Sequence, residues 1–197
     1  VPNWIKPLMP VVAIPLLASI VAGLAMVFVF KGPIGALMTN LTAWLAGIGT
    51  TQLVVLGIII GLMMAFDMGG PVNKVAYTFG VTGLATAGAA ATAPEFKVMA
   101  IVMAAGMVPP LGMALATVVR KSLFTDSERE NGKAAWLLGA SFISEGAIPF
   151  AAADPIRVIP SIMAGSAVTG ALVAVFGNEL RAPHGGIFVF PLVSDAL

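Results

Sequence analysis

Residues 11–30, VVAIPLLASIVAGLAMVFVF, hold no charged side chain across twenty positions. About 20 consecutive apolar residues is the length at which a helix crosses the hydrocarbon of a bilayer. Inside that hydrocarbon every backbone N–H and C=O needs a partner within the protein, which leaves such a run little choice but a helix. Lys6 and Lys31 flank it as interfacial anchors, and Pro15 is expected to kink its first half. Composition extends the argument to the rest of the chain. Hydrophobic residues make up 59% and charged residues 10%, against about 25% charged in soluble domains. A soluble fold of this length cannot hide that much apolar surface. The expected fold class is all-α, a polytopic membrane protein.

Composition also removes chemistries. There is no cysteine and a single histidine, which excludes disulfides, thiolate catalysis and Cys-type zinc sites within these residues. No metal, no cofactor and no P-loop are expected; G-x-x-x-x-G-K-[ST] is absent. A net charge of +1 gives no reason to expect nucleic acid. Val1-Pro2-Asn3-Trp4 lacks the features of a signal peptide. The chain begins without Met and stops at Ser194-Asp195-Ala196-Leu197 with no closing segment, so it is read as a piece of a longer protein.

Further apolar segments follow. Lys31-Gly32-Pro33 reads as a turn, and Ile34 to Ile48 as an interfacial helix or half-span. Thr50 to Phe66 is a second span whose Gly57 and Gly61 form a GxxxG, a helix-packing signal or chance in a Gly-rich chain. Asp67 to Lys74 breaks the pattern. Val75 to Thr92, rich in Ala, Gly and Thr, suits a helix packed among helices. Ala93-Pro94-Glu95-Phe96 reads as a turn. Lys97 to Val119 is another span, with a kink or unwound step expected at Pro109-Pro110. Arg120 to Lys133 is plainly aqueous: Thr125-Asp126-Ser127-Glu128 reads as a helix start, and four basic residues favour the cytoplasmic side. Ala134 to Ile143 reads as a short apolar helix. Ser144 to Pro160 is expected to be irregular, a re-entrant hairpin. Ser161 to Phe176 is an apolar helix with small residues at Ser166 and Gly170. Ile187 to Val193 is too short to span and suggests a second re-entrant element or a truncated helix.

Glu145 stands out in this pattern. A carboxylate at membrane depth costs roughly 2.5–3.5 kcal/mol on insertion scales, and it is tolerated where it meets a cavity, a partner or a substrate. Gly146 and Pro149 beside it mark broken backbone, which survives in a membrane only inside protein or next to water. Ionised, it offers about four lone-pair sites, a match for neighbouring hydroxyls on a solute. The competing reading is an interfacial glutamate capping a helix. His184, fixed between Pro183 and Gly185-Gly186, can hydrogen-bond a solute or carry a proton, or simply sit in a polar turn. Asn73 is the best contact for a hydroxylated solute in the Asp67–Lys74 break. Asp67 and Lys74 bracket that break, which is read either as an ordinary loop between spans or as having a role in the site. Asp154 and Arg157 are expected to pair, most simply as a structural ion pair. Phe142, Phe150 and Trp136 are expected to pack in the core or against lipid rather than on a sugar.

Three stretches carry a family resemblance: Phe66-Asp67-Met68-Gly69-Gly70-Pro71-Val72-Asn73-Lys74, Phe142-Ile143-Ser144-Glu145-Gly146-Ala147-Ile148-Pro149-Phe150, and Pro183-His184-Gly185-Gly186. They resemble the membrane component, enzyme IIC, of the fructose branch of the bacterial phosphoenolpyruvate-dependent sugar phosphotransferase system. The resemblance implies an all-helical, homodimeric permease in the inner membrane, with transmembrane helices and re-entrant hairpins. It implies that fructose binds around Glu145, with Ser144, Gly146, Asn73 and His184 in the site. It also implies phosphorylation of the sugar at the cytoplasmic face by a IIB domain carrying a phosphocysteine. Residues 1–197 would then be part of one IIC domain, without some N-terminal helices and without the cytoplasmic IIB and IIA parts.

Rival readings use the same residues. A cation-coupled secondary transporter would employ Asp67, Glu145 and Asp154 as ion or proton sites, and its sugar would emerge unphosphorylated. An intramembrane hydrolase would need Asp67 and Asp154 close enough to share a proton. A purely structural bundle would tolerate replacement of Glu145 and His184.

Overall fold

The apolar runs fold as helices, as their length and backbone require. In the computed structural model, which describes residues 14–33, 35–36, 39–40, 43, 52–88 and 93–194, they are α1 (Ile14–Ala25), α2 (Leu53–Phe66), α3 (Pro71–Ala87), α4 (Pro94–Val119), α5 (Asp126–Ala140), α6 (Ile148–Ala153) and α7 (Pro155–Phe176). The chain divides into two units, Val1–Leu41 and Thr42–Leu197. Among the described residues, Ile14–Pro33, Pro94–Val119 and Pro155–Phe176 are long and apolar enough to cross a membrane. The all-helical membrane class holds.

In the first unit, α1 passes into a π-helical turn, Met26–Phe30, where the Lys31 N–H reaches back to the Met26 carbonyl. Helical geometry continues to Pro33. Lys31-Gly32-Pro33, expected to be a turn, is therefore helical. The apolar run at 34–48 lies mostly outside the described residues. So does the chain ahead of Ile14, against which a kink at Pro15 would be judged.

The second unit is arranged around α4, 26 residues or about 39 Å long. Its first residue is Pro94, whose fixed φ suits that position and whose missing N–H costs nothing there. Glu95 faces the positive end of the helix dipole. Pro94-Glu95-Phe96 is thus the first helical turn, not the loop its composition suggests. The helix also runs unbroken through Pro109 and Pro110, where a kink or unwound step was expected. Pro109 has no N–H for the Ala105 carbonyl, and the hydroxyl of fully buried Ser166 on α7 donates to that oxygen instead, at 2.9 Å. Such substitute donors are what allow proline inside membrane helices.

Ser166 also belongs to a close helix crossing. A Cβ on Gly57 would lie 2.5 Å from the Gly170 carbonyl oxygen, and one on Gly61 would strike the Ser166 carbonyl. The GxxxG of α2 therefore meets the Ser166…Gly170 pair of α7, small residues on both sides letting the backbones touch. α2 spans 14 residues, about 21 Å, shorter than the span expected from Thr50 to Phe66; residues 50 and 51 lie outside the described set.

α5 joins in one helix the polar and apolar segments that composition separates. It starts at the expected place. Thr125 accepts from the Glu128 N–H, while its own N–H and hydroxyl both donate to the Glu128 carboxylate at 2.7 Å. Segment 144–160 is more regular than expected: a 3-10 turn (Ser144–Ala147), α6, a break at Asp154, and the first turns of α7, with Pro155 at its start and Pro160 inside. Residues 186–192 form a 3-10 helix, after which β2 (Val193–Ser194) pairs antiparallel with β1 (Glu179–Leu180).

Two outcomes follow. Gly61→Val drives a side chain into the α7 backbone and should destabilise the protein by about 1–3 kcal/mol or more, read as loss of folded protein in detergent during thermal unfolding. The bonds from the Thr125 backbone and hydroxyl hold the Glu128 carboxyl below its ordinary value of 4.5. A depressed carboxylate stabilises the fold above its unfolded pKa and ceases to as pH falls through its folded value. The stability difference between wild type and Glu128→Gln should therefore be present at pH 7 and shrink as the pH is taken progressively below 4.5.

Candidate functional site

Three chain reversals build the site. The first closes α5. The Ile143 N–H reaches the Leu138 carbonyl at 2.8 Å and the Phe142 N–H the Gly139 carbonyl at 3.1 Å, the pattern of a Schellman motif. Its pivot is left-handed, a place normally taken by glycine, yet here it is Phe142 at φ 65°. A side chain in that region costs roughly 1–2 kcal/mol, and strain of this kind gathers at functional sites. The ring is buried, 6.1 Å from the Tyr77 ring and edge-on to His184 at 5.1 Å. Gly106 of α4 makes room: any Cβ there would collide with the Phe142 ring. The next residues to emerge are Ser144 and Glu145.

The second reversal joins α2 to α3. The two Asp67 carboxylate oxygens accept from the Val72 N–H at 2.7 Å and the Asn73 N–H at 2.9 Å, which caps α3. Asn73 is buried, and its amide nitrogen donates to the Met64 carbonyl at 2.6 Å and, more weakly, to the Ser144 hydroxyl at 3.5 Å. Gly69, at φ 110°, lies flat against Glu145: a Cβ there would come within 2.7 Å of the carboxyl carbon. The third reversal is Gly185-Gly186. Gly186, at φ 59°, packs on the last turn of α5, where a Cβ would strike the Ala140 carbonyl. That contact brings His184 to Phe142.

Together they enclose a hollow of about 340 Å³, at the small end of the roughly 300–1,000 Å³ typical of ligand sites. Asn73, Lys74, Tyr77, Ser144, Glu145 and His184 supply its polar lining, and Met64, Phe142 and Ile143 its apolar walls. Glu145 was expected to be buried; its side chain is instead 46% exposed, with Lys74 Nζ 3.6 Å away. It stands on a 3-10 turn at the edge of the hollow rather than beneath it.

The structure brings Asn73, Ser144, Glu145 and His184 together and leaves other candidates out. Gly146 faces Leu138 and Pro110, which a Cβ there would meet at 3.0–3.1 Å, and does not line the hollow, because successive residues of a 3-10 turn face different ways. Asp67 supports the site from behind through its cap. Asp154 caps α7 through the Arg157 N–H at 3.2 Å and pairs with the Arg157 guanidinium at 3.3 Å, outside the hollow. Phe150 is in the core, and Trp136 borders a separate apolar groove. Phe142, expected in the core or against lipid, is a wall of the site. Tyr77 was missed, and Lys74, read with Asp67 as bracketing an ordinary loop or part of the site, lines the hollow. Lys74 carried a signal: a cation in the first turn of a helix opposes the helix dipole, so its placement calls for a counter-charge.

A carboxylate, an ammonium, an imidazole, an amide and two hydroxyls around aromatic walls suit a small polyhydroxylated guest. A family profile described as "Phosphotransferase system, EIIC" matches residues 5–165. The chain is 57% identical over 191 residues to a "PTS system fructose-specific EIIB'BC component" of Rhodobacter capsulatus, covering 97% of this chain and 32% of that protein. It is 52% identical over 196 residues to a component of the same description in Vibrio cholerae, covering 100% and 32%. It is 50% identical over 189 residues to the "Fructose permease IIC component" of Bacillus amyloliquefaciens, covering 96% and 60%. The chain thus spans about a third of the length of the first two relatives. No solved structure matches it. The chain belongs to the EIIC family of the phosphotransferase system.

Proposed function

We propose that this chain forms the sugar-binding part of a fructose permease of the phosphotransferase system, seated in the inner membrane. One observation carries the reading: Glu145, in the hollow, is flanked by side chains that suit hydroxyls. Glu145 accepts hydrogen bonds from two sugar hydroxyls and orients the one to be phosphorylated. His184 adds a second contact or assists proton removal. Asn73 uses its donor side within the protein, and its Oδ1 is the acceptor left for the guest. Phe142 and Tyr77 flank the sugar's apolar face. A IIB domain is the phosphoryl donor, a partner supported by relatives described as EIIB'BC components. The whole protein would be a homodimer with helices and cytoplasmic parts beyond this chain.

The rivals are weakened at Asp67 and Asp154. Both oxygens of Asp67 are committed to the α3 cap, and Asp154 to the α7 cap and Arg157. Neither is left as an obvious ion site or catalytic acid.

Glu145→Gln in the full-length protein should weaken fructose binding by about 10–100-fold, the value of a hydrogen bond to a charged group, with membrane insertion intact. Equilibrium binding to purified protein tests this, and wild-type affinity in the variant would rule the reading out. Gly69→Ala touches no sugar in this account, yet its Cβ displaces the Glu145 carboxyl. It should also weaken fructose binding, and a variant that folds and binds normally would show that the position of Glu145 is immaterial.

A further inference from the structure

Lys74 has no role in a site that only binds sugar. Fructose is neutral, and its hydroxyls are served by a carboxylate, an amide and an imidazole. Lys74 nevertheless lines the hollow, the one permanent cation among the described residues that do so. It stands in the first turn of α3, where the helix dipole disfavours positive charge. Asp67, close by in sequence, places its two oxygens on backbone N–H groups of α3 rather than on the ammonium. Its ion-pair partner is Glu145, at 3.6 Å, longer than a hydrogen bond. Both side chains are about half exposed, 53% and 46%, so the pair is loose and either member can change partners.

We propose that Lys74 holds the oxygens of the phosphoryl group as the sugar hydroxyl accepts it, and that it trades Glu145 for phosphate during transfer. This rests on the permease reading above. A hydroxyl held by Glu145 sits about 2.7 Å from its oxygen, so hydroxyl and ammonium are within about 6 Å of each other. The flexible stem of lysine can bring Nζ to a phosphoryl oxygen on that hydroxyl. In the transfer, the sugar oxygen bonds to phosphorus as the bond from phosphorus to the donor's thiol sulfur breaks. The electron pair leaves with the thiolate, and the hydroxyl proton passes to Glu145. Protonation cancels the charge that held Lys74, at the moment when the sugar gains a phosphate. The ammonium moves to the new anion and offsets one of its negative charges. Loss of the proton from Glu145 then reclaims Lys74 and releases the product.

The test uses full-length protein, a phosphorylated IIB domain as donor, and the variants Lys74→Gln and Lys74→Arg. Three quantities are measured: equilibrium fructose binding without donor, single-turnover phosphorylation, and inhibition of binding by the sugar phosphate product. Lys74→Gln should bind fructose at least as tightly as wild type, phosphorylate it on the order of 100-fold more slowly, and lose inhibition by product. Lys74→Arg should keep most of the transfer rate. Wild-type transfer in Lys74→Gln, undiminished product inhibition, or loss of fructose binding together with transfer would each overturn the proposal. Failure of the wild type to bind fructose at all would instead overturn the permease reading, and this one with it.

Discussion

The buried amide of Asn73 is the joint on which the site depends. With one nitrogen it reaches the Met64 carbonyl near the end of α2 and the Ser144 hydroxyl beside Glu145. Its backbone N–H is held by Asp67. The end of α2, the start of α3 and Ser144, 71 residues further on, are thereby brought within one side chain's reach. A buried amide left without partners costs about 1–3 kcal/mol, which makes this an all-or-none arrangement. It also explains how a loop with Met68 and Gly69 at positive φ can hold a definite shape against the Glu145 carboxyl.

The scaffold behind the joint solves a membrane problem. α4 carries two prolines in its middle, and the protein does not let the helix open there. Ser166 supplies the donor that Pro109 lacks, and the same residue lies in the α2–α7 crossing, where Gly57, Gly61 and Gly170 let the backbones meet. Helix continuity and close packing therefore depend on one small polar residue. Strain appears elsewhere, at Phe142, whose left-handed backbone turns its ring into the hollow and against His184.

Much of this was legible in the chain, for local reasons. Apolar runs must be helices in lipid. Thr125 and Glu128 are three apart and cap each other. Asp154 and Arg157 are also three apart, so their pairing needs no tertiary knowledge. No unwound step forms at the prolines of α4, and the sequence hid why: the group that serves the freed carbonyl stands 61 residues further on. Glu145, Asn73 and His184 could be named from their odd surroundings, but not the exposure of Glu145 or its contact with Lys74, which depend on how two loops face each other. Gly146 shows the opposite error: adjacency to a site residue says nothing of direction on a tight turn. Small residues at helical spacing could not be told from chance until the partner helix was in place.

The central claim is that a sugar sits in this hollow with its hydroxyls on Glu145. An experimental structure of the full-length protein in saturating fructose tests it most directly. The account predicts hexose density between Phe142, Asn73 and His184, with a hydroxyl at hydrogen-bonding distance from a Glu145 oxygen. Hexose density elsewhere, with this hollow empty or filled by protein, would contradict it.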